Sequence, residues 1–272
     1  MARSNKVKSI PKSSNKSRLR DTQRDLERIA ESEKHKKFRE RESWRVELLP
    51  KTVNQRHFIN ALKDSEVCAA IGPAGVGKTY CAAGVAAQMF LADLVDGFVL
   101  TRANVLRGET VGFLPGSKED KMTPLLMPIL DSLRRHLGPK VDYMLNKGQI
   151  EMLPFEYVRG RSFINKFVII DEAQNLDEED MIAIITRYES GRIVLLGDPF
   201  QNDLKGESGL LWLHAFAQRN GFDIPITVFQ LEDIVRSGFV RSFLSHLYKE
   251  NGVTELYAKL AAPSIHIVAA TS

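Results

Sequence analysis

Residues Gly72-Pro73-Ala74-Gly75-Val76-Gly77-Lys78-Thr79 match the pattern G-x-x-x-x-G-K-[ST], and both flanks suit it. Ahead of them Val67 to Ile71 is an apolar run of strand length; after them Thr79 to Leu94 is alanine-rich and suited to a helix. Strand, glycine loop and helix in that order form a phosphate cradle. Glycines let consecutive N–H groups turn inward, and the helix N-terminus adds partial positive charge. Lys78 is then spaced to reach the terminal phosphates of a nucleoside triphosphate, and Thr79 to ligate Mg²⁺ through its hydroxyl. A chance glycine-rich turn would fit the pattern without both flanks.

Outward from this loop, the chain beyond Pro50 alternates strand and helix. Strands are expected at Val67–Ile71, Phe98–Thr101, Phe167–Asp171, Ile193–Gly197 and Ile226–Gln230, with a short one at Ile150–Leu153 and another at Ile265–Ala269. Helices are expected at Gln55–Lys63, Lys78–Leu94, Thr123–Leu137, Glu178–Tyr188, Gly209–Gln218, Gly238–Tyr248 and Thr254–Leu260. Apolar strands alternating with helices predict an α/β domain over 47–272, a mainly parallel sheet covered on both faces. Residues 106–161 read as an elaborated crossover between two strands.

Phe167-Val168-Ile169-Ile170 runs into Asp171-Glu172, two carboxylates at a strand end. Ligands of such sheets lie at the carboxyl ends of the strands, which puts the pair beside the phosphate loop. Asp171 is the candidate metal-supporting group and Glu172 the candidate activator of an attacking water. The next strand closes with Gly197-Asp198-Pro199-Phe200-Gln201, where Gln201 is a candidate γ-phosphate sensor, set against a plain Pro-containing turn. Arg236 could stabilise charge on the transferred phosphoryl group or be a surface residue. Arg102 ends the second strand on the carboxyl edge and, with Arg159 and Arg161, is a candidate to contact nucleic acid or a neighbouring subunit's site. Arg159 and Arg161 lie close to Phe155, Tyr157 and Phe163, a mixture that suits a single strand of nucleic acid or ordinary ion pairs beside core aromatics.

Charge is unevenly spread. Residues 1–45 hold fifteen Lys/Arg against seven Asp/Glu, so with the whole chain at +4, residues 46–272 carry −4. Residues 1–46 therefore read as a basic arm, disordered or a solvated helix, which either binds nucleic acid or serves as a linker. Cys68 and Cys81 fall in a predicted strand and helix and read as small buried hydrophobes. No apolar run reaches the roughly 18 residues of a membrane span. A cytoplasmic location away from membranes is expected.

Several stretches together resemble one family. Gly72 to Thr79 followed by Tyr80, Leu100-Thr101-Arg102, Gly108-Glu109 with Gly112-Phe113-Leu114-Pro115-Gly116, Tyr157 with Arg159-Gly160-Arg161 and Phe163, Asp171 to Asn175, and Gly197-Asp198-Pro199 with Gln201 are similar to the PhoH-like ATPases. The resemblance implies a RecA-like core related to superfamily 1 helicases, ATPase activity and action on RNA. It implies that Gln55 reads adenine and that Arg236 belongs to the arginine motif beyond the sensor. Some members carry a ribonuclease-like domain ahead of the core; none is read here, so any cleavage would need a ribonuclease partner.

About 35 residues follow Arg236, fewer than a second RecA-like domain needs. The expectation is a homo-oligomeric ring, by preference a hexamer, with Arg236, Arg159 or Arg161 reaching a neighbour's site. The function expected is Mg²⁺-dependent ATP hydrolysis coupled to single-stranded RNA or DNA, RNA ahead of DNA. The alternative from another class is an ATP-switched assembly or regulatory protein that acts on a protein partner.

Overall fold

The computed structural model describes residues 47–103, 118–204 and 206–261. The basic arm, the Gly-Phe-Leu-Pro-Gly element and the strand expected at Ile265–Ala269 lie outside them.

Strands β1 (Val67–Ile71), β2 (Gly97–Arg102), β3 (Ile150–Met152), β4 (Lys166–Asp171), β5 (Gly191–Gly197) and β6 (Ile226–Val228) form one sheet in the order β3-β2-β4-β5-β1-β6. Every neighbouring pair is parallel. Side chains alternate across a strand, so a strand buried at every position must be covered on both faces. Cys68 to Ile71, Phe167 to Ile170 and Ile193 to Leu196 meet that condition. The result is the parallel α/β sheet expected from the strand and helix pattern, with β5 lying between the strand that enters the phosphate loop and the strand that ends in the two acids.

The helices are α1 (Val53–Asp64), α2 (Lys78–Leu91), α3 (Lys118–Leu137), α4 (Lys140–Asn146), α5 (Phe155–Val158), α6 (Glu178–Ile185), α7 (Gly209–Asn220), α8 (Gly238–Glu250) and α9 (Val253–Ala261). Helix α2 packs between α1 and α3, and α6 packs on α7. The small side chains of α2 explain its place: Cys81, Ala82, Ala83, Val85, Ala86 and Ala87 are all buried, so neighbours approach it from several sides. It ends at Leu91, three residues before the expected limit, because the chain leaves the helix through Asp93 at φ 56°. Helix α3 starts at Lys118, five residues before the expected Thr123. Thr123-Pro124 looks like a cap followed by a first-turn proline, yet Pro124 and Pro128 both lie inside the helix. Helices α4 and α5 were not anticipated, and β6 stops two residues short because Gln230 turns to cap a 3₁₀ segment.

Burial pushes the Cys68 and Cys81 thiols up to about 12, which leaves them inert apolar fillers. No described helix is long and apolar enough to cross a membrane.

Helix α6 is fixed where the chain leaves the acidic strand end. Asp177 accepts from the Asp180 N–H at 2.9 Å, and Asp180 accepts from the Asp177 N–H at 3.3 Å, a reciprocal cap. Asp177→Ala is expected to lower unfolding free energy by about 1 kcal/mol, read by urea denaturation. An unchanged midpoint would show that α6 is held by packing alone.

Candidate functional site

The phosphate loop leaves β1 after Ile71 and enters α2 at Lys78. Two of its glycines carry the curl. Gly75 is at φ 86°, and a side chain there would lie 2.8 Å from Arg236 Cγ; Gly77 is at φ 89°, and a side chain there would lie 2.9 Å from Gln55 Nε2. Gln55 is buried and joins the loop to the start of α1. Its Nε2 donates to Val76 O at 2.8 Å, and its Oε1 accepts from Lys51 N at 2.7 Å. Lys78 Nζ donates to the loop carbonyls of Gly72 at 2.6 Å and Pro73 at 3.0 Å. Pro73 and Val76 are buried, Ala74 is exposed, and Thr79 is half-buried. The Tyr80 ring packs 4.9 Å from that of His136. Arg236 thus lies over its own loop, and the Val235 N–H donates to Gly75 O at 3.0 Å.

The acids emerge two strands away from this loop, with β5 between. Glu172 is at φ 54° and ψ 35°, left-handed backbone that turns β4 abruptly into a 3₁₀ segment, at a cost of about 1 kcal/mol for a non-glycine residue. Both of its carboxylate oxygens are engaged. Oε1 takes a charged hydrogen bond from Arg102 Nη2 at 2.7 Å, and Oε2 accepts from Gln174 Nε2 at 2.6 Å. Arg102 and Asp171 are paired across β2 and β4. Their side chains nevertheless stand 4.0 Å apart, beyond hydrogen-bond range.

Burial, and then the like charge of Glu172, pushes the Asp171 carboxyl above its ordinary value, against Arg102 and Lys78. Burial likewise pushes the Lys78 ammonium down, while Asp198, Asp171 and Glu172 hold it up. A poorly solvated carboxylate beside a second one is the hard, negative oxygen donor that a divalent cation offsets. Asp171 and the Thr79 hydroxyl therefore suit Mg²⁺, which in nucleotide sites takes one or two protein oxygens alongside phosphates and water.

Sequence reasoning missed what lies behind Gln201. Asp198 is buried and accepts from Phe200 N at 3.1 Å, Gln201 Nε2 at 2.9 Å, Tyr248 Oη at 2.9 Å and Tyr257 Oη. Gln201 is thus turned onto Asp198, while its carbonyl accepts from Gln174 Nε2 at 3.2 Å. Gln174 closes the circuit by accepting from Asp198 N at 3.0 Å. The Ala74 N–H of the phosphate loop is 3.5 Å from Tyr248 Oη. Helix α8 is thereby tied to both the loop and the β5 end, and α9 to the β5 end. Gly-Asp-Pro marked the turn, but nothing local to Tyr248 or Tyr257 marks partners 50 and 59 residues away.

The remaining arginines separate. Arg159 pairs with the buried Asp180 at 3.0 Å and Arg161 with Glu151 at 2.9 Å. Phe155 and Phe163 are core residues, so of the three aromatics beside them only Tyr157 is exposed. Arg102 belongs with the acids instead.

The PhoH-like protein family model matches residues 47–248, a span that contains Gln55, the phosphate loop, Asp171, Glu172, Gln201 and Arg236. The chain belongs to the PhoH-like family. A PhoH-like protein of Synechocystis sp. is 42% identical over 59% of this chain and 50% of its own length. One of Bacillus subtilis is 37% identical over 74% of this chain and 64% of its own length. The chain thus spans between half and two thirds of these PhoH-like relatives. Among solved structures, the large terminase of a thermophilic bacteriophage matches 74% of this chain and 51% of its own, at 12% identity and a TM-score of 0.45. The PhoH-like match ends at Tyr248, so Tyr257 lies beyond it.

Proposed function

We propose that the chain is an Mg²⁺-dependent ATPase that couples hydrolysis to binding or remodelling of a single strand of nucleic acid, RNA ahead of DNA. The observation that carries this is the convergence at one sheet edge of Lys78 with Asp171 and Glu172, with Glu172 gripped by an arginine of the neighbouring strand. Lys78 and the loop N–H groups hold the phosphates. Thr79 and Asp171 hold Mg²⁺, which neutralises phosphate charge when bound. Glu172 takes the proton of the attacking water, Gln201 responds to the γ-phosphate, and Gln55 lies at the adenine end. Arg236, which crosses Gly75 of its own chain, is favoured as a phosphate-neutralising group in cis. Arg159 and Arg161, with side chains 43% and 50% exposed, are then the arginines that a neighbouring subunit would receive.

The assembly proposed is a ring, by preference a hexamer. Its support is the exposed apolar stripe of Phe239, Val240, Phe243 and Leu247 on α8, where Phe239 is 80% exposed. Strand cleavage, where it occurs, would come from a ribonuclease partner.

ATP hydrolysis measured with and without single-stranded RNA or DNA is expected to rise several-fold with polymer, and to vanish in Lys78→Ala under both conditions. One observation favours a second reading, a nucleotide-switched protein acting on a protein partner: the Asp198–Tyr248 hydrogen bond ties the β5 end to the helix that bears the exposed phenylalanines. Robust hydrolysis indifferent to both polymers would select it.

A further inference from the structure

Glu172 is the candidate base, yet each of its oxygens already accepts a hydrogen bond from a neighbouring side chain in this arrangement. Arg102 holds one at 2.7 Å and Gln174 the other at 2.6 Å. A carboxylate held in a charged hydrogen bond of this length is fixed in orientation, and it must leave the guanidinium before it can turn toward an attacking water. Arg102 itself is fixed from the far side by donating to Leu125 O on α3 at 3.3 Å. The pair is nevertheless accessible: its side chains are 28% and 25% exposed. Arg102 is the last residue of β2, and the next residue, Ala103, lines a cavity of about 260 Å³ together with Arg159. Arg159 thus borders a recess that opens one residue beyond Arg102, at the strand ends where ligands of such sheets gather.

We propose that Arg102 is a positioning residue that restrains Glu172, and that a backbone phosphate of a bound single strand competes for its guanidinium and releases the carboxylate. The proposal rests on the nucleic-acid-coupled ATPase described above and supplies the coupling step. Guanidinium groups bind phosphate through the same planar fork that binds carboxylate, so the exchange replaces one charged pair by another. Thermodynamic reciprocity follows. A polymer that draws Arg102 away from Glu172 must bind more tightly when Glu172 no longer competes.

The test uses the purified full chain, with ATP hydrolysis and fluorescence anisotropy of labelled single-stranded oligouridylate as separate readouts. Arg102→Ala is expected to raise kcat without polymer about five-fold, the modest worth of a partly exposed ion pair, with KM for ATP unchanged. Polymer stimulation should shrink by a similar factor. Arg102→Gln, which keeps a donor for Leu125 O, should behave like Arg102→Ala and guards against a mere loosening of α3. Glu172→Gln should tighten oligouridylate binding several-fold, and the gain should disappear when Arg102→Ala is added. A fall in kcat in both Arg102 variants would make Arg102 a contributor to the reaction and overturn the proposal. Unchanged oligouridylate affinity in Glu172→Gln would overturn the competition. Absence of any polymer binding would defeat the nucleic-acid-coupled function and the release step with it, while the kcat of the Arg102 variants without polymer would still decide the restraint.

Discussion

Glu172→Gln is expected to lower the rate of ATP hydrolysis by about 10²–10⁴-fold while ATP affinity stays nearly constant. Glutamine keeps the size of the side chain and an oxygen for the Gln174 amide, so the 3₁₀ turn at Ala173–Asn175 has no reason to shift. It removes the negative charge that accepts a proton. Glu172 touches no phosphate-loop residue in the hydrogen bonds of the site, so the loss should fall on kcat and not on binding. Single-turnover hydrolysis beside equilibrium binding of a fluorescent ATP analogue separates the two. A variant retaining more than about a tenth of the rate would show that proton acceptance by Glu172 is not what limits the chemistry, since general-base removal costs at least about 10²-fold.

Asp198→Ala should have the largest effect on stability. Four donors end on this buried carboxylate: the Phe200 N–H, the Gln201 amide and the hydroxyls of Tyr248 and Tyr257. Tyr257 is wholly enclosed and Tyr248 nearly so. Stranding buried donors costs about 1–3 kcal/mol each where no water reaches them, so a loss of about 3 kcal/mol is expected overall. That corresponds to a fall in Tm of roughly 10 °C for a domain of this size, readable by calorimetry. Tyr257→Phe, which removes one donor and leaves Asp198 with three, should cost about 1 kcal/mol.

Burial, with Asp198 adding to it, pushes the Tyr248 hydroxyl up to about 12. A hydroxyl whose folded pKa is raised contributes its full stability below its unfolded value of about 10 and loses it as pH rises toward 12. The tyrosine hydroxyls should therefore contribute equally on either side of neutrality, and their share of the stability should be lost in strong alkali. If Asp198→Ala melted with the wild type, the tie between α8 and the β5 end would be dispensable.

The nucleotide loop and the acids were legible because each is a contiguous string whose flanks set its conformation: Val67–Ile71 had to be a strand, and Lys78 had to begin a helix. Asp171-Glu172 closed an apolar run in the same way. What could not be read was partnership across the chain. Arg102 could be assigned to a strand end, but its pairing with Glu172 follows from β2 and β4 being neighbours, and strand order is not written in either segment. Asp198 was visible as part of a turn and not as an acceptor, since its tyrosines come from α8 and α9. Likewise Phe155 and Phe163 have the composition of a base-stacking surface, and only the fold reveals them as core. Helix α4, seven residues following Gly138-Pro139, is too short for its periodicity to stand out from a turn.

The order of the sheet has a dimensional consequence. With β5 interposed between β1 and β4, the loop and the acids are separated by two interstrand spacings, roughly 9–10 Å between strand axes. That width accommodates a terminal phosphoryl group, a hydrated cation and a water in line, whereas directly adjacent strands would leave room for less. The β5 strand thus acts as a calliper, and its parallel registers with both neighbours, Ile71 against Gly197 and Ile170 against Leu195, fix how far each jaw projects. A slip of one residue would move a jaw by roughly 3.3 Å, more than the length of a hydrogen bond, and would turn its side chains to the opposite face of the sheet.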